Sequence, residues 1–406
     1  MPAETIGNNS SEDDAFPWHL GIYDAHCHPT DTMSSIESIQ KMKTRVLTVM
    51  ATRGEDQELV ISAADKHSVK SINPEKWSQE ECIVPCFGWH PWFSHQMYIE
   101  EGDGDGTNQG TLTGDAKITH YQSVLLPSRD DPSEEDRQIF LSLPDPTPFS
   151  NFLMQTRQHL ERYPYALVGE IGLDRSFRIP ESWIDNPDLW ARRDHKLTPG
   201  GREGRRLTPF RCSPQHQRKI CQMQLRLAGE MGRGVSVHGV QAHGAVFEML
   251  QELWKGHEKQ ILSKRERKKR GQDHPSVEAD MSGTEQSSWE PKPYPPRICL
   301  HSYSGNASNF KQYLNPAIPA QIFASFSTAI NLSDAMEDET PASFEEIIKT
   351  VPDHMVLVES DLHTAGDEMD RRLEDIVRRI CRIKGWGLEE GVKQLGKNWV
   401  AFAFGT

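Results

Sequence analysis

At 406 residues, with 36% hydrophobic and 26% charged residues, the chain can build one large core. It exceeds the roughly 250 residues of a barrel-sized domain, so the surplus is expected in insertions. A formal net charge of -14 excludes a surface that coats nucleic acid by releasing counterions, and leaves phosphate handling to local devices such as metal ions.

The seven cysteines are odd in number and dispersed, with no Cys-x-x-Cys pair, and read as free thiols in a reducing compartment. The opening residues lack a leader pattern, and nowhere do about eighteen apolar residues run together, so no membrane span is expected and the cytosol or nucleus is the default.

Residues 1–17 are polar and acidic and are expected to be a disordered tail, with the ordered chain starting near Trp18. Short β-rich runs then recur at 22–27, 46–51, 83–88, 166–171, 235–238, 298–301, 322–326 and 355–359. Most are separated by helical patterning, at 36–43, 57–67, 149–162, 215–231, 245–256, 344–350 and 369–384. Eight strands alternating with helices imply an α/β fold with a parallel sheet closed as a (β/α)8 TIM barrel.

Three stretches break the rhythm. Residues 97–148 are rich in Gly, Asp, Ser and Pro, 176–213 in Pro, Gly and Arg, and 256–296 carry the basic run 264–270 before a polar tract. They read as partly disordered loop insertions in a single domain spanning 18–406. The basic run reads as a solvated helix end ahead of a nuclear-localisation or nucleic-acid patch.

Function in such a barrel sits at the carboxyl ends of the strands. Here those ends carry His26 and His28, then His90, then Glu170 and Asp174, then His238, His301, and finally Glu359 and Asp361. His26 and His28, two apart on a strand, aim at one face. Imidazoles and carboxylates converging there would be destabilising without a cation. Two divalent ions resolve this if His26, His28, Glu170, His238, His301 and Asp361 are ligands and Glu170 bridges. Zn, Mg, Mn and Co all suit such a set.

These motifs resemble the TatD-type metal-dependent hydrolases of the amidohydrolase superfamily. The matching segments are Asp24-Ala25-His26-Cys27-His28, Gly88-Trp89-His90-Pro91, Gly169-Glu170-Ile171-Gly172-Leu173-Asp174, Val237-His238, His301-Ser302-Tyr303-Ser304-Gly305 and Glu359-Ser360-Asp361. The resemblance implies that His26, His28, Glu170 and Asp361 hold one metal and Glu170, His238 and His301 the other. It further implies a deoxyribonuclease, 3′-5′ exonuclease-like, cleaving phosphodiesters with an activated water. In it Asp361 is the general base, Glu170 the bridging carboxylate, and His90 a contact to phosphate or the leaving oxygen. Single-stranded DNA or 3′ ends are then the expected substrate.

Two departures alter the substrate shell: Gly239-Val240-Gln241 follow His238, and Leu362-His363-Thr364 follow Asp361. They keep two alternatives open. One is a weak or inactive barrel acting as a protein-interaction partner, since the resemblance extends to a fungal branch described as binding an anaphase-promoting-complex subunit. The other is an amidohydrolase of C–N or ester bonds, against which Glu170 stands where some of those enzymes use a bridging lysine. Asp24 is expected either to orient a ligand imidazole or to cap a turn, and Asp174 to bind loop backbone. Helix-start or loop roles are expected for His243 and His363.

Overall fold

Alternation along each strand sorts the side chains into two layers. Val46 and Met50 face one apolar cluster and Leu47 and Val49 another; likewise Val84 and Cys86 oppose Ile83 and Phe87. That period of two gives an inside and an outside to a curved parallel sheet. The computed structural model describes residues 15–100, 110–261, 290–336 and 339–406.

Eight parallel strands form the sheet: β1 (Tyr23–Cys27), β2 (Val46–Met50), β3 (Ile83–Phe87), β4 (Leu167–Asp174), β5 (Val235–Val240), β6 (Arg297–Leu300), β7 (Gln321–Phe326) and β8 (Val356–Val358). Their spatial order is their chain order. The seam between β8 and β1 is stitched at the carboxyl end, where Asp361 N donates to His26 O (3.0 Å) and His28 N to Leu362 O (2.8 Å). The fold is a TIM barrel, with every strand expected from the sequence in place.

The longer helices are α1 (Gly54–His67), α2 (Gly114–Val124), α3 (Glu134–Ser142), α4 (Phe149–Arg162), α5 (Pro214–Glu230), α6 (His243–Trp254), α7 (Ala342–Thr350), α8 (Asp367–Lys384) and α9 (Leu388–Phe404), with short helical turns at Pro187–Arg192, Ala307–Lys311 and Thr328–Asn331. Between β1 and β2, where a helix is expected at 36–43, the chain forms 3-10 turns over Pro29–Lys41, broken at Thr32. The segment is rich in Ser and Thr, and Ser35 Oγ donates back to Thr32 O (2.7 Å), the local competition that disfavours an α-helix.

Two further differences concern coverage. Helix α9 is absent from the sequence expectation; its Trp399, Phe402 and Ala403 join Val46, Leu167, Cys299 and Phe323 in the inner cluster. The insertion 97–148 holds α2 and α3 rather than loop alone. Their Tyr121, Phe140 and Leu143 pack with Ile179 and Phe210 of the 176–213 insertion, so the two insertions share a small core. The run 264–270 and residues 1–14 lie outside the described residues. Of the expected disordered tail, Phe16 is described and packs on Trp18, with ring centroids 4.5 Å apart.

Candidate metal centre

Glycine in the fourth-strand motif is a matter of space. At Gly172, φ is +151° and a Cβ would lie 2.0 Å from His238 O; at Gly88 it would lie 2.6 Å from the Gly169 carbonyl carbon. Any side chain there would push apart the strands that bring His90, Glu170 and His238 together. At the other ends the backbone is also unusual. Asp361 (φ 54°), Ser302 (φ 38°) and Gln241 (φ 51°) take the left-handed conformation within three residues of the ends of β8, β6 and β5. For residues other than glycine this costs on the order of 1–3 kcal/mol each.

Glu170 stands at the centre. Its Oε2 lies 3.5 Å from both His26 Nε2 and His28 Nε2. Its Oε1 lies 2.8 Å from His238 Nδ1, 3.0 Å from His301 Nε2 and 3.2 Å from His90 Nε2. Asp361 Oδ1 closes the first side, 3.4 Å from His28 Nε2 and 3.8 Å from His26 Nε2. The structure therefore brings together all six residues expected as ligands, with His90 among them. Among the described residues three triplets are compact enough to hold an ion: His26, His28 and Glu170; His26, His301 and Asp361; His90, Glu170 and His238.

Hydrogen bonds on the outer ring nitrogens set His90 apart from the other rings. His26 Nδ1 meets Ser236 Oγ at 2.8 Å, His301 Nδ1 meets Glu359 Oε1 at 3.2 Å, and His238 Nε2 meets Asp174 Oδ2 at 3.3 Å. These outer acceptors can hold a proton on the outer nitrogen of each ring, which would free the inner nitrogen's lone pair for a cation once one displaces the inner proton. His90 is the opposite case. Its Nδ1 accepts from Trp92 N (3.2 Å), so the proton of the neutral ring sits on Nε2, facing Glu170. In that tautomer His90 donates and does not ligate.

Electrostatics point to a missing positive charge. Burial pushes the Glu170 carboxyl up, but His90, His301 and His26 outweigh it and hold it well below its ordinary range. At Asp361, burial is likewise overcome by His301, His28 and His26. Burial disfavours a charged His28, yet Asp361 and Glu170 lift it to about 9; the carboxylates Glu359, Glu170 and Asp361 raise His301 in the same way. Burial and the charge on His301 hold His26 down, as its ring stacks on His301 with centroids 3.7 Å apart. Without a metal, protons on His28 and His301 neutralise the carboxylates. The inner nitrogens His26 Nε2 and His28 Nε2, 3.1 Å apart, are the donors a divalent ion would use instead.

The surrounding residues carry the remaining expectations. Asp24 does not touch a ligand imidazole; its carboxylate accepts from His26 N (3.0 Å), Ser360 N (3.0 Å) and Ser360 Oγ (2.5 Å), pinning β1 to the loop after β8. Asp174 binds loop backbone through Oδ1, which accepts from Ser176 N (2.6 Å) and Phe177 N (3.0 Å), and reaches the centre through Oδ2. His243 opens α6. His363 stacks over His28 (5.3 Å) and its Nδ1 lies 2.7 Å from Asp31 Oδ2.

A cavity of about 540 Å³ opens over the centre, walled by Trp92, Phe93, Val240 and Ile330 and, from the 176–213 insertion, by Leu197 and Glu203. That insertion is fastened across the mouth. Thr198 Oγ1 donates to Thr30 O (2.6 Å), Thr198 N to Asp31 O (2.8 Å), and Arg53 Nε to Pro199 O (2.8 Å). Sequence reasoning missed Ser236, Arg53 and the orienting role of Glu359; only Glu359 carried a signal, next to Asp361 in a strand-end motif.

A model of the family described as TatD related DNase matches residues 23–402. The chain belongs to the TatD family. The TatD chain is 34% identical over 382 residues to Cut9-interacting protein scn1 of Schizosaccharomyces pombe, covering 94% of this chain and 98% of the relative. It is 24% identical over 347 residues to an uncharacterized deoxyribonuclease of Saccharomyces cerevisiae, covering 84% and 83%. Among solved structures, a TatD homologue from Escherichia coli is similar at 16% identity with a TM-score of 0.47, covering 95% of this chain and 98% of that one. TatD-type hydrolases use divalent metals, and the clusters of this TatD chain can bind them.

Proposed function

We propose that this TatD hydrolase is a metal-dependent deoxyribonuclease that cleaves phosphodiester bonds from a strand end. The observation that carries the reading is Glu170, whose two oxygens face two separate donor groups across one buried carboxylate. Its chemistry fits a pair of divalent ions, one held by His26, His28, Glu170 and Asp361 and one by Glu170, His238 and His301. When bound, such ions make a water nucleophilic near neutral pH and stabilise charge on the phosphoryl oxygens.

The chain's own residues supply the rest. Asp361, the least enclosed of the central carboxylates at 11% side-chain exposure, faces the cavity and takes the proton of the attacking water. His90, neutral because burial brings it down to about 4, donates an Nε2–H hydrogen bond to a phosphoryl or leaving oxygen without transferring the proton. Ser236, Glu359 and Asp174 hold the ligand rings in orientation. Trp92 and Phe93 exclude water from one wall.

A second reading is favoured by the relative named Cut9-interacting protein: a barrel that keeps its metal and serves as a protein partner, in cytosol or nucleus. Metal analysis with a nuclease assay separates the two. Purified protein with Mg, Mn or Zn is expected to degrade single-stranded DNA, and His26→Ala and Asp361→Ala to abolish the degradation. Stoichiometric metal with no turnover of DNA, RNA or model phosphodiesters would support the partner reading instead, and turnover confined to amides or lactones a C–N or ester hydrolase.

A further inference from the structure

The cavity over the centre is poor in free positive charge. Arg53 is the one Lys or Arg among its described lining residues, and it is fully engaged: Nη2 with Asp31 Oδ1 (2.6 Å), Nη1 with Asp56 Oδ2 (3.0 Å) and Nε with Pro199 O (2.8 Å). Asp31 and Glu203 add negative charge to the wall. A polyanion entering this site therefore meets cationic help only at the metals, unless the rim provides it.

The rim does carry that charge. Between residues 176 and 213 there are eight Lys and Arg against five Asp and Glu, in a chain whose net charge is -14. Among the described residues none of the eight is ion-paired, whereas Arg53, Arg157, Arg162 and Arg218 elsewhere each hold a carboxylate. Arg192, Lys196, Arg202 and Arg206 are exposed. Lys196 directly precedes the cavity-lining Leu197, and Arg202 lies between the lining residues Gly201 and Glu203.

Aromatic rings accompany these cations. Trp190 is 40% exposed and meets Trp183 edge-on at 5.2 Å. Arg193 stacks 4.1 Å over Trp190 and Arg205 4.2 Å over Trp183. Nε and Nη1 of Arg193 are buried with no hydrogen-bond partner, so its charge rests on the Trp190 face and not on a carboxylate. Unpaired cations interleaved with exposed tryptophan are the combination that binds single-stranded nucleic acid, by phosphate contact and base stacking.

We propose that the 176–213 insertion is a binding surface for single-stranded polynucleotide, in which Arg192, Lys196, Arg202 and Arg206 meet backbone phosphates and Trp190 stacks on a base. This rests on the phosphodiesterase reading of the centre and gives its substrate a track that the cavity lacks. Duplex is disfavoured, because its bases are already stacked.

The test is fluorescence anisotropy of the full-length, metal-loaded protein with a labelled phosphorothioate oligothymidylate, titrated at several salt concentrations. Charge reversal in K196E/R202E/R206E is expected to weaken binding about tenfold or more and to flatten the log–log salt slope by about two. Trp190→Ala is expected to weaken binding while leaving that slope unchanged. Circular dichroism of each variant reports its fold. Unaltered affinity in both variants would overturn the proposal. So would polyglutamate binding as tightly as the oligonucleotide with no effect of Trp190→Ala, the signature of a surface for an acidic polypeptide. Binding is read without turnover, so wild-type protein that is inert toward bis(p-nitrophenyl) phosphate yet holds the strand would overturn the catalytic reading alone.

Discussion

Ser236 shows how much of a candidate metal centre is set by a group outside its cluster of donors. It is fully buried on β5, and its hydroxyl fixes the ring of His26 across the barrel. Ser236→Ala leaves a buried Nδ1–H without an acceptor and is expected to weaken metal binding about 10–100-fold, measured by competition with a chromogenic chelator. Glu359→Ala is expected to act similarly through His301, and more severely for the fold, because Glu359 also accepts from Ser302 N (2.8 Å). The His-x-His pair was legible in sequence because two imidazoles at strand spacing are chemically conspicuous. Ser236 was not: it stands 210 residues from His26, and a serine between two valines signals nothing until the barrel closes.

At the scale of elements, the buried His95 and His120 and the half-buried His216 tie the 97–148 insertion to the barrel. His216 of α5 lies 2.9 Å from both Ser94 O and Met97 O, and His120 of α2 lies 2.8 Å from His95 O. Burial, reinforced by mutual repulsion, lowers His95 to about 3; burial lowers His216 to about 4. An unfolded histidine binds its proton near pH 6.5, so the unfolded state gains protons first as pH falls. The stabilisation from these neutral rings is complete above about 6.5 and is lost as pH drops toward about 4. Protection factors of the α2 amides, corrected for intrinsic exchange at each pH, are expected to fall across that window, and His216→Gln to blunt the fall. Helix α9 offers a second test. Trp399 is 1% exposed, so Trp399→Ala is expected to cost about 3–5 kcal/mol in urea unfolding. Its spacing of Val392, Leu395, Trp399 and Phe402 is helical and was there to be read, past the last expected strand-helix pair. Helices α2 and α3 were harder, being short and flanked by Gly-, Asp- and Pro-rich sequence that reads as loop.

For the whole molecule, strand order was legible because each strand is an apolar run between helices, while the path of the insertions was not. Nothing local announces that Thr198 will reach Thr30, or that Arg53 will hold Pro199; these are pairings between distant loops. The barrel's closure has the same distant character, and it is made by the main chain of His26, His28 and Asp361. Metal binding at the centre would therefore be linked to sealing the ring. Metal at a hundred times its dissociation constant should add about 2.7 kcal/mol of stability by mass action, and chelation should remove it, visible as a lower Tm and faster exchange of the His28 and Asp361 amides. A ring that loosens when emptied is exposed to proteolysis at its seam, so in a cell the abundance of this protein, and not only its activity, would follow the supply of divalent metal.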